Sequence, residues 1–192
     1  ALSPQALAGL SATAIASLDI SQVAAITSVQ AAQLTASQVD ALSAAQVAAL
    51  SPQAVAGLSP AALGSLDAGQ AAQITAPQVD GLSAAQVGAL TPAAIGGLSN
   101  TAIASLDATQ VAALSVAQLD ALTPAQVAAL PVTALSSLSP AQLSAISADL
   151  SAAQQTALAD IQTAAAITTA VAGSLTGAAV DTLTPAAISG LS

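Results

Sequence analysis

Leu122-Thr123-Pro124-Ala125-Gln126-Val127-Ala128-Ala129-Leu130 is a complete helix start written in nine residues. Thr123 is a preferred N-cap, and Pro124 occupies the first helical position, where a missing N–H costs nothing. Gln126, three residues after the cap, completes a capping box. Leu122 before the cap and Val127 inside the helix form the pair that staples the entering chain to the first turn. The string ends on Leu130, which begins the next unit.

The unit recurs every eight residues. Leu2, Leu10, Leu18, Ile26, Leu34, Leu42, Leu50, Leu58, Leu66, Ile74, Leu82, Leu90, Leu98, Leu106, Leu114, Leu122, Leu130, Leu138 and Ile146 form an unbroken ladder of 19 anchors. Ser, Thr or Asp follows 18 of them, the exception being Pro131. Seven of the nine prolines (Pro4, Pro52, Pro60, Pro92, Pro124, Pro140 and Pro185) fall one place later. Gln stands four residues after the anchor in 11 of 18 complete units, and Ala in the others. Val, Ile or Leu comes next in 16 of 18, with Ala31 and Ala71 as the exceptions. Each octad therefore starts a helix of its own.

A continuous helix is excluded by geometry. Eight residues advance the helix by about 800°, so successive anchors would sit about 80° apart and the apolar stripe would wind round the rod. A period of eight fits neither a heptad nor a hendecad coiled coil. The chain must break at every cap into pieces of about six residues, too short to be stable alone in water. Their stability must come from stacking on neighbours, so the expected fold is an all-α solenoid or superhelix of very short capped helices, one per octad. Gly9, Gly57, Gly81 and Gly97, each just before an anchor, are expected to let successive pieces approach closely.

Two departures divide the chain. After Ile146 the ladder slips by four residues to Leu150 and Leu158, then by one to Ile167, and resumes through Leu175, Leu183 and Leu191. The expected organisation is a regular array over 1–146, an irregular insertion with a longer helix over 147–172, and resumed octads over 173–192. A longer period also overlies the octads, because Asp40, Asp80 and Asp120 recur in every fifth one. Either a block of five octads was duplicated or about five pieces complete one superhelical turn.

Composition removes whole classes of function. The 192 residues carry 9 acidic side chains and no Lys, Arg or His, for a formal charge of −9. Nucleic-acid binding and attachment to anionic lipid both need basic residues, so neither partner is expected. Without Cys or His there is no thiolate or imidazole metal site and no disulfide framework. Catalysis would have to use Asp and hydroxyls alone, with no His, Lys, Cys, Glu or Tyr to activate them. Neither a catalytic site nor a cofactor is expected. Calcium, which takes several oxygen ligands, could be bound if stacked turns brought Asp40, Asp80 and Asp120 into a column. The simpler role for Asp19, Asp67 and Asp107 is capping, favoured by the helix dipole.

No apolar run is long enough to span a bilayer, which takes roughly 20 residues, so no transmembrane helix is predicted. No basic n-region marks a signal peptide, which leads us to expect a mature protein or an excised segment of a longer one. A chain without cations offers trypsin-like proteases no cleavage site, and this points to an extracellular or cell-surface location.

The segment from Leu122 to Val127 resembles the opening helix of the repeats in transcription activator-like effectors. The likeness stops after about nine residues, before the base-reading loop and cations of that family, so DNA recognition is not implied. The octads as a whole are similar to the Ala-, Gln- and Leu-rich tracts of large exported bacterial surface proteins of adhesin and haemagglutinin type. That resemblance implies a stalk or fibre, with no transferable site residues. Each octad has only two sizeable aliphatic side chains, which leaves much Ala surface on a monomer, so self-association into homopolymeric filaments is expected. The alternative is a solenoid binding module whose Ser, Thr and Gln face engages glycans, another surface protein or ice.

Overall fold

The computed structural model describes residues 3–160. Short α-helices follow one another with no strand among the described residues. They are α1 (Pro4–Ala8), α2 (Ala12–Ala16), α3 (Ile20–Ala24), α4 (Ser28–Ala31), α5 (Ala36–Asp40), α6 (Ala44–Ala49), α7 (Pro52–Gly57), α8 (Pro60–Leu63) and α9 (Ala68–Ala71). The series continues with α10 (Ala76–Asp80), α11 (Ala84–Ala89), α12 (Pro92–Gly97), α13 (Asn100–Ala104), α14 (Ala108–Ala112), α15 (Val116–Asp120), α16 (Pro124–Ala129), α17 (Val132–Leu135) and α18 (Pro140–Ile146). Another helix begins at 152 and extends to 160, the last described residue.

Each helix begins and ends for reasons written in its octad. The residue after the anchor is extended and, except at Pro131 before α17, has a side chain that can cap the helix: Ser51, at φ −65° and ψ 153°, accepts from the Ala54 N–H. Pro4, Pro52, Pro60, Pro92, Pro124 and Pro140 occupy the first helical position, as their spacing predicts, while Pro185 lies outside the described residues. At the other end the helix tightens, with the anchor N–H reaching back three residues, as from Leu50 to the Val47 carbonyl at 3.2 Å. In octads such as that of α6 the anchor itself then turns extended, Leu50 lying at φ −60° and ψ 135°. No residue among those described has a positive φ, so no helix needs a left-handed glycine to stop it.

The pieces wind into an all-α solenoid. Every helix from α1 to α15 packs against the third helix after it. Backbones of adjacent turns meet at Gly64 and Ala89, just over three octads apart, and at Gly57 and Ser28, between three and four octads apart. One turn therefore takes between three and four octads. Five octads are more than one turn and fewer than two, so the longer period of the sequence is not the pitch of the winding. The core is a continuous column of anchors and fifth-position residues, from Leu7, Ile15 and Val23 through Val127, Leu130 and Leu135 to Ile146, almost all fully buried.

Across the four-residue slip after Ile146 the column thins to a partly buried Leu150, while the tie between turns continues. Ser151 and Gln154 form a box at the start of the helix 152–160, with Gln154 accepting from the Ser151 N–H at 2.9 Å. Gln154 then joins the preceding turn through Val127 and Leu130. The remainder of the expected insertion, 161–172, and the resumed octads over 173–192 lie outside the described residues.

Candidate functional site

The most elaborate polar arrangement in the molecule is built from one residue type. In each glutamine octad Oε1 accepts from the N–H of the helix's own cap, at 2.7 Å for Gln118 and Ser115. The cap hydroxyl accepts from the glutamine N–H in return, so the box is closed. This fixes the side chain and aims Nε2 away from its own helix toward the turn before. There it donates to the carbonyl of the anchor 28 residues earlier: Gln38 to Leu10 at 2.8 Å, Gln78 to Leu50 at 2.7 Å, Gln118 to Leu90 at 2.7 Å. A second carbonyl, 30 or 31 residues back, shares many of these amides, as Val87 and Gly88 do that of Gln118. Gln46, Gln70, Gln86, Gln110, Gln126 and Gln142 repeat the pattern.

These amides do two jobs with one group. They satisfy an orphan N–H at a helix start and an orphan carbonyl at the end of another helix. Most of them are buried, and no buried side-chain polar atom among the described residues lacks a partner. Glutamate would complete the box equally well, but its carboxylate could not donate to a carbonyl. The sequence signal was present: glutamine fills the third helical position in 11 octads, while the chain holds no glutamate at all. Sequence reasoning found the box and missed the tie between turns.

Where alanine replaces glutamine, two other ties take over. A Cβ on Gly57 would lie 2.5 Å from the Ser28 carbonyl oxygen, and one on Gly97 would lie 2.5 Å from that of Ala68. At these places the backbones of α7 and α4, and of α12 and α9, come together as closely as glycine permits. The opposing helices carry Ala31 and Ala71, the two positions where the octad lacks its branched residue. The exceptions in the repeat are thus two sides of one contact. Gly9 and Gly81 do not share this role, since a Cβ there meets nothing nearer than 3.5 Å and 3.7 Å.

The third tie is a hydroxyl. Ser65, Ser105 and Ser137 donate to the carbonyls of Ala36, Ala76 and Ala108, each 29 residues earlier, while also bonding within their own helices. The order of ties follows the five-octad period. Gly57, Ser65, Gln70, Gln78 and Gln86 are each followed five octads later by Gly97, Ser105, Gln110, Gln118 and Gln126. The next block lacks its glycine octad and goes straight to Ser137 and Gln142.

The acidic residues divide into two groups. Asp19, Asp67 and Asp107 cap α3, α9 and α14, as their positions after the anchor predict. The Ser21 hydroxyl and then the Gln22 N–H hold the Asp19 carboxyl below its ordinary range. For Asp107 the Gln110 N–H comes first and the Thr109 hydroxyl second. Asp40, Asp80 and Asp120 instead close α5, α10 and α15 and are exposed. They cannot stack on one another, because five octads are not a whole number of turns. The neighbour in the next turn is different: the Gln70 amide bonds both the Asp67 N–H and the Asp40 carbonyl. No group of three acidic side chains gathers among the described residues.

No family model, curated protein or solved structure matches the chain.

Chemically, the closest approach to a reactive pair is a hydroxyl on a carboxylate, Ser21 on Asp19 at 2.6 Å and Thr109 on Asp107 at 2.7 Å. A carboxylate held below its usual range is a poor base, and both groups already serve the cap. Among the described residues the solvent-facing positions are mostly Ala, Ser, Thr, Pro and Gly, with Ile20, Val29 and Val116 the large apolar side chains left exposed. No helix of the described residues is long and apolar enough to cross a membrane.

Proposed function

We propose that the chain is a non-catalytic structural element of the cell exterior, a surface fibre or an adhesin-type stalk that sets a distance. The observation that carries this is the use to which polar side chains are put. The hydroxyls and carboxylates after the anchors cap helices, and the glutamine amides tie turn to turn. Such a chain devotes its functional groups to propagating its own winding. Length then scales with the number of octads, which suits a spacer. The absence of Lys and Arg suits an exterior exposed to trypsin-like proteases.

Two experiments test this. An antibody against the chain should label intact source cells, and labelling that needs permeabilised cells would reject the exterior location. Light scattering across a concentration series separates the fibre from the stalk: growth in mass supports self-association, and a strict monomer leaves the stalk alone.

A further inference from the structure

We propose that the solenoid is an extensible coil whose turns part in sequence under axial load, the glycine and serine octads yielding before the glutamine octads. The inference rests on the stalk reading for its setting, since a stalk bears tension, and on the ties for its content.

Within a turn, consecutive octads are joined covalently. Among the described residues every backbone-to-backbone hydrogen bond outside the helices is local, reaching back only three or four positions, so none joins one turn to the next. No disulfide or ion pair can bridge turns, because the chain has no Cys, Lys, Arg or His. Axial load therefore falls on apolar packing and on three grades of tie. Gln118 holds three carbonyls of the preceding turn, those of Val87, Gly88 and Leu90. Ser105 offers one hydroxyl, at 3.3 Å to Ala76, shared with its own helix. In α7 and α12 the side chains form only the caps of Ser51 and Thr91 and donate no hydrogen bond to the turn before, although the Ala56 and Gly96 carbonyls accept from Gln86 and Gln126 of the turn after.

Loss of one tie leaves the next intact, because each octad grips only the turns directly before and after its own. An uncovered helix of four to seven residues has no stability of its own and melts, releasing its length to the load. Glutamine amides freed in this way are simply hydrated and can rebind on relaxation. The tie order then becomes a rhythm along the rod: two weak octads and three strong ones in each of the two complete blocks, over 50–89 and 90–129. That period is neither one turn nor two, so weak ties in successive blocks do not stack on one side. The rod lengthens without a built-in direction of bend.

The test is to hold the whole chain by its ends in an optical trap and stretch it slowly. The expected record is a series of releases, none longer than about 140 Å, the span of five extended octads, with refolding on relaxation. Gln118→Met, which keeps volume and removes the amide, should abolish one pause and leave the others. A single all-or-none rupture releasing more than about 500 Å would overturn the proposal, and so would a Gln118→Met record identical to the parent's. Either result leaves the stalk standing as a rigid one. Conversely, a chain found inside cells would end the stalk reading without altering the force record.

Discussion

The amide of Gln118 donates to the carbonyl of Leu90, 28 residues earlier, at 2.7 Å, while its oxygen accepts from the N–H of Ser115 at the same distance. One side chain thus ends one helix and begins another on the adjacent turn. The distinction between glutamine and glutamate at this position is the most sensitive chemical handle on the fold.

Gln118→Glu separates the two halves of that job. The ionised carboxylate can still accept from Ser115 but faces the Leu90 carbonyl without a proton, at a site only 2% exposed. Stability at pH 7 should fall by about 3 kcal/mol, the order expected for an uncompensated buried charge. Burial raises the folded-state pKa of the new acid above the unfolded value of about 4.3. Protonated, it can donate to Leu90, so the lost stability should be present below the unfolded pKa and disappear as pH rises through the folded one. Urea melts from pH 4 to 8 would show the gap to the parent widening upward, and a gap independent of pH would contradict the tie.

Gly97→Ala should be costly and Gly69→Ala should not. A Cβ at Gly97 would meet the backbone of Ala68 at 2.5 Å and push two turns apart, whereas one at Gly69 meets only the Asp67 side chain at 3.3 Å, on an exposed helix position. Overpacking of this kind costs about 1–3 kcal/mol, while alanine in place of an exposed helical glycine gains up to about 1 kcal/mol. Thermal melts of the two variants should therefore move in opposite directions.

Asp107→Ala tests the caps. Hydrogen bonds from the Gln110 N–H and the Thr109 hydroxyl depress the Asp107 pKa in the folded chain. Its contribution to stability is therefore present above the unfolded pKa of about 3.9 and is lost as pH falls through the lower folded value. The difference in melting temperature between Asp107→Ala and the parent should be full at pH 6 and shrink below pH 4. A difference that grows on acidification would show that the carboxylate is not the stabilising form.

Salt should stabilise the chain. All nine charges have the same sign, so every charge–charge interaction among these side chains is repulsive. Asp40 and Asp67 are brought to adjacent turns by the Gln70 amide that bonds both backbones. Raising ionic strength from 0.01 to 0.15 M shortens the screening length from about 30 to 8 Å, and the melting temperature should rise over that range. A fall would show that screening of the attraction between the Asp19, Asp67 and Asp107 caps and their helix dipoles outweighs the relief of repulsion.

The helix starts were legible because each is a local event. A cap, a proline and a box residue sit within four positions, and Ser51, Pro52 and Val55 take the places that spacing assigns them. The winding was not legible, because the partners that set it lie more than three octads apart and no single octad names its neighbour in the next turn. Gln118 read alone is a box residue; its second role needs Leu90 in view. Likewise Ala71 and Gly97 look like unrelated lapses from the pattern until α9 and α12 are brought together. The five-octad period was visible in Asp40, Asp80 and Asp120, and the ties between turns repeat with the same spacing.

The winding itself is tested most directly by distances between spin labels on the otherwise cysteine-free chain. Labels at Ala108 and Pro124 are two octads apart and fall on different sides of a turn. Labels at Ala108 and Ser137 are 29 residues apart, yet the Ser137 hydroxyl lies 3.0 Å from the Ala108 carbonyl. A solenoid of three to four octads per turn predicts that the pair farther apart in sequence is the nearer in space. A distance that simply grows with separation, as in a continuous helix or an unstructured chain, would contradict it.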